Sequence, residues 1–341
     1  MKIGILFDAM SALGPNPDGL ILESVEAVEG AIATWSKSHV AVRVPVNPDG
    51  RWVERVRRAK FDLVFNLCEG IDGVAEFEPM VISVLELFGI PHSGNSSATT
   101  ALCLHKNVVN TLLDSAGLPV PRWSLARRGE EFTSVGFPAI CKPAAEDASI
   151  GIEQKSVVRS SRALAARIEA MHERWDEVLI QRYVDGREVN VGIVGDRTLP
   201  IAEINFGEMP RGMWKIVSYR SKWITGSDED LGALPTCPAD LPRQLAHELE
   251  RISLSAWRAV GGKGYGRADF RIDRAGQPWL LEVNPNPDIS PTAGLARMAG
   301  VAGMDYAALV RTICEIALEH PALNAAELWP RALQLSGTSW T

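Results

Sequence analysis

The first ninety residues alternate strand-like runs with segments of helical periodicity, and this alternation restricts the fold more than any other feature of the chain. Residues 2–7 form a short apolar run, residues 40–46 alternate like a strand, and residues 61–67 form a third strand-like run. Residues 24–36 and 78–88 carry apolar side chains at helical spacing. Strands that are apolar on both faces are typical of parallel sheets covered by helices. We therefore predict a small parallel α/β unit here.

A turn-rich segment at residues 92–97 ends this unit, and the chain beyond it mixes helices with strands. The predicted helices span residues 98–116, 161–173, 241–259 and 307–319. The predicted strands span residues 137–143, 177–183, 189–194, 199–204, 268–272 and 279–283. We predict an irregular stretch, rich in glycine, serine and charge, at residues 205–234.

The balance of charge excludes one class of partner. The 341 residues include 35 lysines and arginines against 42 aspartates and glutamates, for a net charge of −7. Such a chain has no basic excess with which to bind a phosphate backbone, so we predict no nucleic-acid partner. Residues 87–104, the longest stretch without charge, contain glycine, serine, asparagine and threonine, so we expect no membrane span.

The cysteines and the start of the chain indicate a cellular compartment. The irregular spacing of the cysteines matches neither a disulfide framework nor a zinc motif, and we predict free thiols at Cys68, Cys103, Cys141, Cys237 and Cys314. The first ten residues run directly into a strand without a cleavage-site pattern. We therefore expect a reduced, soluble, cytoplasmic protein.

Polar side chains occupy every second position of two predicted strands near the C-terminal end. They are Arg267, Asp269 and Arg271 on the first strand, and Glu282 and Asn284 on the second. Alternate residues share a strand face, so adjacent strands would bring two carboxylates and an amide oxygen together, a donor set that suits Mg²⁺. Surface strands with acids facing water explain the same residues, although the two prolines after Asn284 favour a fixed site.

Two further segments indicate a nucleotide. Lys142 precedes a loop of small residues at 143–151, where backbone N–H groups could approach phosphate oxygens, although many solvent-facing loops have this composition. Residues 177–188 run from an apolar strand into a turn. Strand-edge backbone groups near Gln181 could bind adenine, and Glu188 could bind ribose. A plain hairpin explains the same residues as well. The glycine-rich residues 262–266 follow a helix rather than a strand, which excludes a Rossmann fingerprint.

In this order and spacing, the segments resemble the ATP-grasp superfamily, and within it the D-alanine–D-alanine ligase type. The segments that carry the resemblance are residues 66–70, 85–94, 116–121, 137–143, 181–184, 264–269 and 281–284, with Lys106, Glu188 and Lys222. The resemblance implies an α/β three-domain ATP-grasp fold. It places a Rossmann-like parallel α/β domain at residues 1–97, a small central α+β ATP-binding domain at 98–186, a C-terminal α+β ATP-grasp domain at 187–325 and a peripheral tail at 326–341.

The resemblance also implies the chemistry. A carboxylate substrate attacks the γ-phosphate of ATP, and an amine then displaces phosphate from the acyl phosphate to give an amide. The cofactors implied are ATP and two Mg²⁺ ions, with Mn²⁺ as the alternative metal. By resemblance the ATP-binding residues are Lys106, Lys142, Ser149, Gln181, Arg182, Tyr183, Val184, Glu188 and Lys222. The metal ligands are Asp269, Glu282 and Asn284, and the catalytic residues are Arg267 and Lys222. The resemblance also implies a homodimer, because relatives of this type are commonly homodimers.

Departures from the family pattern concern the substrate. Where the family links a glutamate, a serine and a tyrosine around the first amino acid, this chain has Asn16, Ala148 and Trp223, and Ala293–Gly294 replaces a serine–leucine pair at the second. We therefore predict small-molecule carboxylate and amine substrates, amino acids or a dipeptide, other than two D-alanines. The candidate pocket residues, each equally consistent with a solvated side chain, are Glu69, Glu78, Trp223, Asp288, Ser290 and Thr292. A genuine D-alanine–D-alanine ligase, a non-catalytic ATP-binding regulatory module and a kinase-like enzyme remain as alternatives.

Overall fold

The computed structural model describes residues 1–9 and 20–319. Its strands are β1 (Lys2–Asp8), β2 (Val40–Val46), β3 (Leu63–Asn66), β4 (Trp123–Arg127), β5 (Ala139–Pro143), β6 (Val157–Val158), β7 (Glu177–Arg182), β8 (Gly186–Val194), β9 (Arg197–Thr198), β10 (Ala202–Asn205), β11 (Leu234–Thr236), β12 (Tyr265–Asp273) and β13 (Pro278–Asn284). Its α-helices are α1 (Leu20–Trp35), α2 (Arg51–Ala59), α3 (Glu78–Leu87), α4 (Ser97–Leu104), α5 (Lys106–Ser115), α6 (Ser161–Met171), α7 (Tyr219–Trp223), α8 (Asp228–Leu231), α9 (Arg243–Ala259), α10 (Gly294–Val301) and α11 (Tyr306–Glu319). None of these helices is long and apolar enough to cross a membrane.

Two compact units divide the described residues, and the first contains a parallel sheet. This unit comprises residues 1–9, 20–101, 263–265 and 288–319. Its sheet has the order β2-β1-β3, with both pairs parallel. Helices α1 and α11 pack against each other, and α11 also contacts β3. The predicted parallel α/β unit is therefore confirmed, although helix α2 was not predicted, because its charged sequence buries only Trp52 and Val56.

The second unit, Leu102–Gly262 with Gly266–Pro287, contains two sheets. The four-stranded sheet has the order β4-β7-β5-β6, and one of its faces packs in an apolar core with α6. The six-stranded sheet has the order β11-β10-β8-β12-β13, with β9 paired to β8, and its core includes side chains of α5 and α9. The predicted domain boundaries at residues 97, 186 and 325 stay predictions, and the tail at 326–341 lies outside the described residues.

Residues 183–185 carry the chain from one sheet to the other. Strand β7 belongs to the four-stranded sheet and β8 to the six-stranded sheet, so the interpretation of residues 177–188 as a plain hairpin is wrong. Strand β8 begins at Gly186, where an added Cβ would lie 1.8 Å from the carbonyl oxygen of Ile272 on β12. Only glycine fits this close approach of two backbones. The connection between the two sheets is therefore fixed by backbone packing.

We expect Gly186→Ala to destabilise the protein by about 1–3 kcal/mol, because the new methyl group overlaps a backbone carbonyl that cannot rotate away. The urea midpoint of unfolding measures this change. Gly30→Ala is the matched control, since nothing lies within 4 Å of a Cβ at this position of α1, and alanine favours a helix over glycine. Equal midpoints for Gly186→Ala and the native chain would contradict the close approach.

Other predicted elements differ in detail. Residues 98–116 form two helices, α4 and α5, with His105 between them. Of the predicted strand at 199–204, only the part in β10 is a strand, and strands β4 and β9 were not predicted. The stretch predicted as irregular, 205–234, contains α7 and α8, which are too short for helical periodicity to be recognised.

Candidate active site

One face of the four-stranded sheet carries a lysine and a glutamine of the predicted nucleotide site. Ile140 pairs with Gln181, and Lys142 lies two residues further along β5, so all three share a face. The Nζ of Lys142 donates a hydrogen bond to Oε1 of Gln181 at 3.2 Å. The pKa of the Lys142 ammonium is lowered, because the effect of burial outweighs the opposing effect of the Glu282 charge. The lysine therefore faces the carboxylates of the second sheet.

Lys106 begins helix α5 and holds the loop that follows Lys142. Its Nζ donates to the carbonyl oxygen of Glu146 and lies 3.4 Å from Oδ1 of Asp147, while its backbone N–H donates to the carbonyl of Ala144 at 2.9 Å. Burial lowers the pKa of Lys106, but Asp147 and Glu282 outweigh it and the pKa is raised. The ammonium is thus charged and anchored to the loop.

The hairpin of β12 and β13 brings the predicted metal ligands together. Asp269 pairs with Glu282, and Arg267 pairs with Asn284 in the adjacent position of the same face. Asp269 is 7% exposed, so the interpretation of these acids as facing water is wrong for this residue. Arg267 donates to both carboxylate oxygens of Asp269, at 2.6 and 2.7 Å. The predicted juxtaposition of two carboxylates and an amide is present.

The charges around the two carboxylates differ. Burial raises the pKa of Asp269 even though Arg267 opposes this. Burial also acts to raise the pKa of Glu282, but the cations Lys106, Lys142 and Arg267 outweigh it, and the pKa of Glu282 is lowered. Glu282 is therefore a charged carboxylate that is stabilised by the charges of three cations.

The donor set of this hairpin fits Mg²⁺. Two carboxylates and an amide oxygen are hard ligands, and a magnesium ion completes its shell with phosphate oxygens and water. Asn190 was not predicted, yet its Nδ2 donates to Oδ1 of Asp269 at 2.6 Å and orients that carboxylate. In residues 1–9 and 20–319, no group of three or more histidine, cysteine, aspartate or glutamate side chains could hold a metal on its own. A metal here would thus depend on Asn284 or on ligands from the nucleotide.

The crossing between the sheets forms the predicted adenine and ribose region. Tyr183 is buried, Val184 is half-buried and the Arg182 side chain is exposed. Buried Glu188 forms an ion pair with Arg271 at 2.9 Å, and burial raises the pKa of this carboxyl. The crossing therefore combines strand-edge backbone with a buried carboxylate.

Arg271, for which no role was predicted, is the central cation of this region and is 3% exposed. Its guanidinium lies 5.5 Å from the ring centroid of Tyr183 and 5.3 Å from that of Phe206. It also donates to the backbone carbonyls of Gly186 and Lys215. Arg271 thereby ties the crossing to the segment 205–234.

That segment also meets the loop 144–151. Ser149 Oγ donates to the carbonyl of Val217 at 3.1 Å, and the indole Nε1 of Trp223 donates to the carbonyl of Ala148 at 2.8 Å. Exposed Lys222 places its Nζ 5.1 Å from the centroid of the Trp223 ring. Ala148 and Trp223, which stand where the family has the serine and the tyrosine, are therefore joined by a hydrogen bond from an indole to a backbone carbonyl. No hydroxyl takes part in this contact. Asn16, the third altered position, lies outside the described residues.

The remaining predicted substrate residues belong to the first unit. Tyr265, which was not predicted, is fully buried, and its phenol pKa is raised by burial first and then by the charges of Glu69, Glu78 and Asp288. The charges of these three predicted carboxylates thus act on one buried tyrosine. Ser290 is buried and donates through its backbone and hydroxyl to Asp288, at 2.8 and 3.2 Å. Thr292 is exposed, and its carbonyl accepts a hydrogen bond from Arg297.

Comparisons with known proteins agree with this architecture. The family model described as the D-ala D-ala ligase C-terminus matches residues 112–315. An uncharacterized protein of Sinorhizobium fredii, y4sG, is 33% identical over 260 residues, which cover 75% of this chain and 74% of that protein. A D-alanine–D-alanine ligase of Citrifermentans bemidjiense is 31% identical over 317 residues, which cover 93% of this chain and 96% of the ligase.

A solved structure shares the fold. The D-alanine–D-alanine ligase from Bacillus anthracis, complexed with ATP, aligns with a TM-score of 0.75 and 22% identity over 94% of this chain and 98% of that chain. The ATP-grasp fold predicted from the sequence is therefore confirmed. The chain belongs to the D-alanine–D-alanine ligase family of ATP-dependent enzymes that form C–N bonds.

Proposed function

We propose that the protein joins a small-molecule carboxylate to an amine through an acyl phosphate, with release of ADP and phosphate, and that its substrates are not two D-alanines. The observation that carries the proposal is the pairing of Asp269 with Glu282 across β12 and β13, with Arg267 hydrogen-bonded to both oxygens of Asp269. The charges of Lys106, Lys142 and Arg267 also lower the pKa of Glu282. Three cations around a charged carboxylate, with Asp269 opposite, suit a triphosphate and its metal. A chain that only bound a nucleotide would gain little from burying so many charges.

The reaction needs alignment and neutralised charge more than covalent chemistry from the protein. A carboxylate oxygen of the acid attacks the γ-phosphorus, and ADP leaves. Lys106, Lys142 and Lys222 would balance the phosphate charge. We assign two Mg²⁺ to Asp269, Glu282 and Asn284, where they would supply positive charge to phosphate oxygens.

In the second step the amine nitrogen attacks the acyl carbon, loses a proton and expels phosphate. Arg267 would stabilise the oxyanion of the tetrahedral intermediate by hydrogen bonding. The segment 205–234 would exclude water, which otherwise hydrolyses the acyl phosphate. Its contacts with the loop 144–151, through Ser149 and Trp223, support this role.

Two features support the altered substrate. Trp223 bonds to the backbone of Ala148, so the hydroxyl pair that the family uses around its first amino acid is replaced by a contact that offers no hydroxyl. The charges of Glu69, Glu78 and Asp288 all raise the pKa of Tyr265 in the first unit. An acidic cluster of this kind favours a substrate with a positively charged amine. We propose an amino acid or a dipeptide as the substrate class.

We also propose a cytoplasmic homodimer. All five cysteines are thiols rather than disulfides, and four of them are buried, as predicted and as is usual in a reducing compartment. On helix α3 and just before it, Phe77, Met80 and Leu87 are exposed apolar side chains that a second copy could cover.

The test is phosphate release from ATP, with Mg²⁺, against amino acids and dipeptides offered in pairs. We expect release that requires both an acid and an amine, and a condensed product with the mass of the two substrates less water. If D-alanine were the only efficient substrate, the protein would instead be a genuine D-alanine–D-alanine ligase. ADP binding without turnover of any pair would instead favour the regulatory module.

A further inference from the structure

Gln181 presents a buried hydrogen-bond donor without an acceptor. Its side chain is 1% exposed, and its Nε2 meets no hydrogen-bond partner within the part of the chain that the structure describes. Buried amide donors are normally paired, so such an atom indicates a missing partner. No described residue supplies that partner, and a bound molecule with a hydrogen-bond acceptor would satisfy this donor.

The orientation of the amide is fixed by its neighbour. Lys142 Nζ lies 3.2 Å from Oε1 of Gln181, and an ammonium can only donate hydrogen bonds. The amide oxygen must therefore face the lysine, and the nitrogen must point to the other side. Gln181 and Lys142 share the sheet face opposite to the apolar core around α6, since the neighbouring residues Cys141 and Ile180 belong to that core. The free N–H groups thus lie on the side of the proposed nucleotide site.

We propose that Gln181 reads the purine of the nucleotide as a hydrogen-bond donor, so that this pocket accepts 6-oxo purine nucleotides as well as ATP. The inference rests on the proposed nucleotide role of this site. The edge of adenine offers the N7 acceptor and an N6 donor, whereas a 6-oxo purine offers two acceptors, N7 and O6. With its oxygen held by Lys142, Gln181 gives the N6 amino group no acceptor. It therefore provides no preference for adenine, and its donor matches either acceptor of a 6-oxo purine.

Binding of ADP and of IDP, each with Mg²⁺, tests the proposal by calorimetry and needs no knowledge of the acid or amine. IDP differs from ADP at the purine 6 position and lacks the 2-amino group of guanine. We expect the native protein to bind IDP within about tenfold of ADP. Gln181→Glu replaces the donor by an acceptor, so it should shift the affinity ratio toward ADP by at least about fivefold. A native preference for ADP above tenfold, or a smaller shift in Gln181→Glu, would overturn the proposal.

Gln181→Met is the second variant, because it keeps the length of the side chain and removes the donor. We expect it to weaken IDP binding by about fivefold or more, and unchanged IDP affinity would also overturn the proposal. Arg127→Gln, at the exposed end of β4, is the control and should leave both affinities unchanged. Failure of both nucleotides to bind the native protein would overturn the proposed function together with this inference. Tight ADP binding with weak IDP binding would overturn the inference alone.

Discussion

Arg267→Ala is expected to slow amide formation by about 10²–10³-fold, which corresponds to the loss of about 2.7–4 kcal/mol of transition-state stabilisation. Arg267 lies on β12 and is held by two hydrogen bonds to the buried carboxylate of Asp269, so its position is fixed before substrate binds. A preorganised guanidinium beside the acyl carbon would act mainly on the intermediate. The loss should therefore appear in kcat, with little change in the affinity for ADP. Steady-state rates with the substrate pair found in the panel measure it.

Two further variants separate this role from the structural pairing of Arg267 with Asp269. Arg267→Lys keeps a positive charge beside Asp269 but loses the bidentate hydrogen bond. This variant should therefore fold normally and still lose most of the rate of amide formation. Arg274→Ala removes an exposed arginine from the turn of the same hairpin and should keep the native rate. Native rates of phosphate release by Arg267→Ala would contradict the ligase mechanism and favour an enzyme that stops at phosphoryl transfer.

The positions of the proposed metal and phosphate residues could be predicted from the sequence because strand alternation fixes the face each one occupies. Asp269 and Glu282 stand at alternate positions of two strands close in sequence, and the short connection between these strands makes them neighbours. Lys142 lies near the end of an apolar strand, so the face of the sheet that it occupies follows in the same way. For these residues, local pattern and long-range position agree.

Other parts of the site depend on contacts that no local pattern records. The alternation of Arg271 with Arg267 and Asp269 indicated its face, but its partner carbonyl at Gly186 is 85 residues away in the chain. Tyr265 is a buried strand residue, and the charges that act on it come from carboxylates that are distant in the sequence. The short helices of the segment 205–234 did leave a local signal. Ser218 and Ser227 cap them, each accepting a backbone N–H three residues later, and serine at such a position is a common helix start.

Glu282→Gln should nearly abolish turnover, with a fall in kcat on the order of 10³-fold, because a metal contributes several kcal/mol of charge stabilisation to phosphoryl transfer. The substitution keeps the shape of the side chain but removes the negative charge on which Lys106, Lys142 and Arg267 converge. The three cations would then lose the negative charge of Glu282, and a divalent cation would meet a more positive site. We expect the affinity for Mn²⁺, measured by electron paramagnetic resonance with ADP present, to fall by at least about tenfold.

The matched control is Glu203→Gln on β10 of the same sheet. Glu203 is paired with Arg187 at 2.6 Å, so this variant also removes a glutamate charge that faces an arginine. It should keep the native Mn²⁺ affinity, because its carboxylate is not part of the proposed metal site. If Glu282 were only a counter-ion for the lysines, Glu282→Gln would lower the unfolding midpoint while its half-saturating Mg²⁺ concentration stayed that of the native chain. A metal ligand requires the opposite pattern, in which the metal dependence changes more than the stability.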